Sequence, residues 1–250
     1  MYAVDVEFTE GLSPAQRAVF AGAAGRWAEA IVGDVPDVMI DGRRIDDILI
    51  AASGTAIDGP GGILGQATFT HLRTGSFLPA RGFMQFDSAD LDNLEADGSL
   101  RDVILHEMGH VVGLGTIWER LGLVRDLDTD DPVFTGPNAR REYAALLGED
   151  TPRDVPLANT GGPGTRNSHL RESVFGDELM TGFISGTERP LSRVSIAILE
   201  DMGYAVDYAA ADPYRLPTPA EISALMARPH RMCEVCTPAE PIMIQPLEDG

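Results

Sequence analysis

The sequence predicts an α+β protein, with a twisted mixed sheet and one central helix in the N-terminal half and a mostly irregular and helical C-terminal half. Three observations carry this expectation. Short alternating or apolar segments of strand character recur through the first ninety or so residues. One segment of helical period, residues 99–113, holds His106-Glu107-Met108-Gly109-His110. From 118 to 167 the chain is rich in Gly, Pro and Asp, a composition that favours turns over long elements.

The elements follow in order. Tyr2, Val4, Val6 and Phe8 alternate with Ala3, Asp5 and Glu7, the period of a half-buried strand. Ser13-Pro14-Ala15-Gln16 opens a helix with a capping box and Pro at its first position, and Phe20, Ala24, Trp27 and Ile31 form its apolar stripe. The run Ile48-Leu49-Ile50-Ala51-Ala52 reads as an inner strand, and Gly59-Pro60-Gly61-Gly62 breaks the chain before a further alternating strand over 64–72. Phe83, Met84, Gln85 and Phe86 give another. Ser99-Leu100-Arg101-Asp102 resembles a capped helix start, Leu100, Val103, Ile104, Met108, Val111 and Val112 give that helix its apolar face, and Gly113 stands where it stops. Helices are expected over 138–147, after a cap at Ser192 and up to Gly203, and over 220–227.

Composition narrows the function classes. The 250 residues are 44% hydrophobic and 23% charged, ordinary for a globular protein, and the net charge is −20 with arginine as the sole basic side chain. So acidic a chain repels phosphate backbones, which argues against nucleic acid as a partner. No apolar run reaches the ~20 residues that span a bilayer. Met1-Tyr2-Ala3-Val4-Asp5 lacks the basic-then-apolar pattern of a secretory signal.

The chemistry concentrates in His106-Glu107-Met108-Gly109-His110. Residues four apart on a helix lie one above the other, so both imidazoles leave one face and can share a metal. Glu107, one position round, reaches a metal-activated water without ligating the ion. A catalytic zinc needs a third protein ligand and an open position. Only His71, in a strand-like run, His169, eleven residues before Met180, and His230, in a Pro-rich tail, remain as histidines.

The H-E-x-x-H-x-x-G of 106–113, a long insertion, a displaced third histidine and Glu178-Leu179-Met180-Thr181-Gly182 together resemble the leishmanolysin family of metzincin zinc proteases, in a reduced, bacterial-type form. The likeness covers roughly 99–214 and includes Pro190 to Tyr204. In that family Glu178 to Gly182 would be the Met-turn, with Met180 beneath the metal. The resemblance implies His106, His110 and His169 as zinc ligands, Glu107 as general base, Gly113 as the structural turn, peptide or protein substrates, and an extracellular or cell-surface location. Thr116 occupies the position of the third histidine in the compact pattern, Leu170 stands where relatives commonly carry Trp, and Gly182 excludes a ligating Tyr two residues after Met180. The family's disulfides are absent, since only Cys233 and Cys236 exist. Residues 1–215 form the expected metzincin-like catalytic domain, with an insertion at about 118–167 between the second and third ligands, and 216–250 form a tail.

Several readings remain open beside this one. Glu119 or Glu172 replaces His169 as third ligand in another zincin class, and a metal-stabilised binding module without turnover would keep the same residues. Gly65, Gln66, Ala67, Thr68 and Phe69 are read either as the edge strand that pairs with extended substrate or as an ordinary edge. Asp126, Asp128 and Asp130 either bind calcium or form a solvated loop, for the Gly and Glu of an EF-hand are missing. Cys233 and Cys236 are read as a strained disulfide, a dimer link, free thiols, or a thiolate at the open zinc position. Because the first strand begins at Tyr2, any built-in inhibitor is expected after Tyr214, where truncation would raise activity; a linker or export signal is the plainer reading of that tail.

Overall fold

Parallel pairing of β1 (Val4–Phe8) with β4 (Ile48–Thr55) begins the sheet, and β4 runs parallel to β6 (Pro79–Asp87). β5 (Ile63–Arg73) returns antiparallel to β6. The structure, a computed structural model, describes residues 1–162, 164–184, 189–227, 231–235 and 240–247, with backbone alone at 184 and 231–235. β1 keeps the expected alternation, Val4, Val6 and Phe8 half-buried and Asp5 and Glu7 exposed. β4 and β6 are largely buried, as strands in the middle of a covered sheet should be. The hairpin of β2 (Val38–Ile40) and β3 (Arg43–Ile45) and the helix α2 (Leu91–Asp97) had no clear sequence signal.

Two helices pack on the sheet and on each other. α1 (Pro14–Ala30) starts with the Ser13–Gln16 capping box and buries Phe20, Ala23, Trp27 and Ala30, close to the expected stripe. α3 (Leu100–Val112) carries the histidine pair, and all but Arg101 of its residues are buried. A helix covered on every side needs partners all round, here β5, β6 and α1. Its start differs from expectation. Ser99 makes no side-chain cap and instead donates its hydroxyl to Asp97, because Gly98 has already ended α2 there and the two helices share a tight turn.

The insertion is built as a small antiparallel sheet of β7 (Val124–Arg125), β8 (Val133–Phe134) and β9 (Val155–Pro156) with α4 (Pro137–Leu147). α5 (Glu172–Phe175) and β10 (Phe183–Ile184) flank the 176–182 turn, and α6 (Arg193–Met202) follows, capped by Ser192 as expected. Asp201 accepts from the first free amides of α4, Asn138 and Ala139, at 2.9 Å each, which fixes α4 on α6.

The tail does not run off as a linker. After α7 (Pro219–Met226), β11 (Arg231–Val235) pairs parallel with Ile63 to Ala67 of β5, and β12 (Ile242–Ile244) pairs parallel with His71 to Arg73. Of residues 65–69, Gly65, Gln66 and Ala67 are therefore no open edge: β11 pairs with them, since free strand groups are satisfied by whichever extended segment can reach them.

Fully buried Arg73 holds the far end of β5. Its guanidinium donates to the carbonyls of Pro36, Pro79, Asp46 and Asp47. Arg73→Met should remove charge-assisted bonds and leave buried acceptors unpaired, lowering unfolding free energy by about 3 kcal/mol in urea titration.

Candidate metal centre and active site

His106, His110 and His169 meet although His169 lies more than fifty residues downstream of the helix. Their Nε2 atoms are 2.9 Å apart for 106–110, 3.0 Å for 110–169 and 3.2 Å for 106–169. All three rings have no solvent exposure. Each Nδ1 faces a backbone carbonyl: Leu179 at 2.6 Å, Leu114 at 2.8 Å and Thr165 at 3.0 Å. A carbonyl only accepts, so each Nδ1 carries the proton and each Nε2 presents a lone pair.

Three lone pairs facing one another repel, and no hydrogen bond joins them once their protons are on Nδ1. A cation at their centre reverses the sign of that interaction. A tetrahedral ion bound at ~2.0–2.1 Å would hold its nitrogens ~3.3–3.4 Å apart, close to the spacing seen. The residues present fit a metal, and these three histidines form a group that can hold one. Burial, then the neighbouring ring of His110 and the Arg189 charge, hold the His106 pKa well below its usual value. Burial likewise pushes His110 down to about 4 and His169 well down, so all three are neutral ligands at physiological pH.

Glu107 is fully buried beside them. A β-carbon at Gly65 would lie 3.1 Å from the Glu107 Cγ, so β5 runs directly over the carboxylate stem. Gly113 ends α3 with φ of 122°, its N–H bonded to the carbonyls of Gly109 and His110, and Thr116 donates to the His110 carbonyl at 2.8 Å.

The turn at 178–182 supports the site from below. Buried Met180 lies under α3, where a β-carbon at Gly109 would be 3.0 Å from its sulfur and 2.9 Å from the Trp27 ring. The Glu178 carboxylate accepts from Met180 N and from the hydroxyls of Ser192 and Ser195, both at 2.6 Å. Arg189 donates to the carbonyls of Glu178 and Thr181 at 3.0 and 2.7 Å. Sequence alone assigns no role to Gly109 or Arg189 and marks Glu178 only as part of the Met-turn. A glycine in mid-helix, costly by propensity, was the one signal available for the first.

Other candidates fall elsewhere. Glu119 is exposed, and Glu172, though buried, is not among the groups converging on the histidine pair. His71 sits in β5 with its Nδ1 2.9 Å from the Thr70 hydroxyl, and His230 lies outside the described residues. Asp126, Asp128 and Asp130 are not brought together: Asp126 pairs with Arg125 and Asp128 accepts from Asn167, so neighbouring donors hold the carboxylates that calcium would need. Cys236 lies outside the described residues, and Cys233 is described by its backbone alone.

The family profile of leishmanolysin, a peptidase family, matches residues 34–219. The chain belongs to the leishmanolysin family. Leishmanolysin of Leishmania chagasi is 28% identical over 142 residues, covering 54% of this chain and 23% of that protein. Leishmanolysin of Leishmania donovani is 25% identical over 185 residues, covering 71% and 30%. The chain thus spans less than a third of the length of these curated relatives. Among the described residues no helix is long and apolar enough to cross a membrane.

Two outcomes follow from this packing. Gly109→Ala gains helix propensity of ~1 kcal/mol but overpacks a rigid indole at a cost of ~1–3 kcal/mol, so denaturant titration should show a net loss. Burial raises the Glu172 pKa to about 7. The folded state therefore holds this proton more tightly than the unfolded chain, whose value is near 4.5. The stability it contributes is complete below about pH 4.5 and falls away as pH climbs through 7, by at most ~3 kcal/mol. Glu172→Gln should flatten that part of the stability–pH profile.

Proposed function

We propose that this protein is a zinc-dependent endopeptidase acting on peptide or protein substrates, with His106, His110 and His169 as metal ligands and Glu107 as general base. The observation that carries this reading is the convergence of three deprotonated Nε2 atoms beside a buried glutamate that shares α3 with two of the histidines. Among the described residues three imidazoles converge without a fourth donor, which fits a catalytic zinc donor set, whereas a purely structural site is closed by a fourth protein ligand. When bound, zinc lowers the pKa of water to about 7 and polarises a carbonyl oxygen.

The chain's own residues do the rest. The carbonyls of Leu179, Leu114 and Thr165 fix ring orientation and tautomer, so the Nε2 lone pairs stay directed inward. The Glu107 carboxylate takes a proton from the attacking water and delivers it to the leaving amine nitrogen. Strand β5 lies over Glu107, so an extended peptide that gained its backbone would set the scissile bond beside the carboxylate. By its family resemblance the protein works outside the cell or on its surface.

Glu107→Gln should retain zinc by atomic absorption while peptide cleavage falls by ~10²–10⁴-fold, the usual weight of a general base. Cleavage undiminished in that variant defeats the mechanism. His169→Ala should lose zinc and Glu172→Ala should keep it; the reverse result would move the third ligand to the glutamate.

A further inference from the structure

His106, Glu107, His110 and His169 have no solvent exposure at all, so a substrate peptide reaches them only if part of their cover moves. Part of that cover is β11. β11 lies parallel to β5 with Cys233 in register with Gly65, Glu234 with Gln66 and Val235 with Ala67. Gly65 is the residue whose β-carbon would meet Glu107, so β11 runs one strand away from the general base. It also packs against α3, the helix that carries two of the three histidines. The hydrogen-bonding side of β5 that an extended peptide would use is thus already taken by an extended peptide, the chain's own tail.

On its other side β11 pairs antiparallel with β10, Phe183 opposite Met232 and Ile184 opposite Arg231, so its release breaks two short ladders. β12 and its neighbours tie down the far end through Thr74 N to Ile244 O at 2.8 Å and Leu247 N to Asp37 O at 2.7 Å. Yet Ile242, Met243 and Leu247 remain exposed, at 56%, 41% and 37%, so the stretch around β12 is held more by backbone pairing than by apolar burial. Segments with little buried apolar area are the ones that open at low free-energy cost, while the sheet beneath persists.

We propose that the segment after Tyr214 is a displaceable internal inhibitor whose strand β11 occupies the substrate-pairing side of β5 over Gly65 and Glu107. The proposal rests on the peptidase reading above. A substrate must compete with β11 for the same backbone groups, so its apparent affinity is reduced by the fraction of molecules with the strand displaced. Inhibition of this kind acts on KM and leaves kcat unchanged.

The test uses the full chain loaded with zinc. Glu234→Pro combined with Val235→Pro removes two consecutive N–H donors, one of which must face β5. Amide hydrogen exchange at 63–67 reports whether β11 has left. Binding of fluorescein-labelled casein is measured in a Glu107→Gln background, and its cleavage with Glu107 intact. Should the double-proline chain fail to fold, a specific protease site inserted between Leu216 and Thr218 and cut after folding frees the segment instead. Release should tighten casein binding and lower KM by roughly tenfold or more at constant kcat. Faster exchange at 63–67 with unchanged binding and unchanged KM overturns the proposal. Equal cleavage by both forms leaves the peptidase reading intact and removes the inhibitor. Tighter binding without any cleavage leaves the inhibitor and removes the peptidase reading, and no binding by either form removes both.

Discussion

Three lone pairs directed at one point, each backed by a proton given to a backbone carbonyl, are the constraint on which the rest of the site depends. Neutral imidazoles do not gather this way for their own stability. Burial removes the water that would otherwise solvate each Nε2, and it keeps the rings unprotonated by raising the cost of a charge. The arrangement therefore holds a donor set ready for a cation, with the tautomer chosen by the backbone.

That choice links distant parts of the chain. The Leu179 carbonyl belongs to the turn holding Met180, so His106 is oriented by the same turn that supports α3 from below. The turn in turn is fixed by Glu178, which joins Met180 N to the start of α6 through Ser192 and Ser195, and by the Arg189 guanidinium across its carbonyls. The Tyr204 hydroxyl donates to the Val112 carbonyl at 2.8 Å, closing a path from α6 back to the end of the ligand helix. The C-terminal half supplies one histidine and most of the rigidity under the other two.

The sheet meets the site through β5. Its passage over Glu107 is possible because Gly65 has no side chain, and the absence of a β-carbon there lets the carboxylate stem and the strand share one space. Strand, helix and turn are thus packed closely around the histidines and Glu107, and a shift in any one is felt by the others.

What the sequence determined by itself is local. The His106–His110 pair follows from the period of a helix, the stop at Gly113 from the low cost of positive φ, and the capping boxes from neighbouring side chains and amides a few residues apart. His169 became legible only through the order of motifs around it, because nothing in spacing alone brings a residue 59 positions away to His110. The failed cap at Ser99 shows the limit even of local rules: its backbone is already helical, so its hydroxyl does not accept from the first turn and instead donates to Asp97 two residues earlier. Tertiary structure alone decided which carbonyls hold the imidazoles, why Gly109 must be glycine, and that residues 231–235 lie along β5. Backbone groups are the same in every residue, so a sequence does not record which of them will pair across the fold; long-range packing selects them.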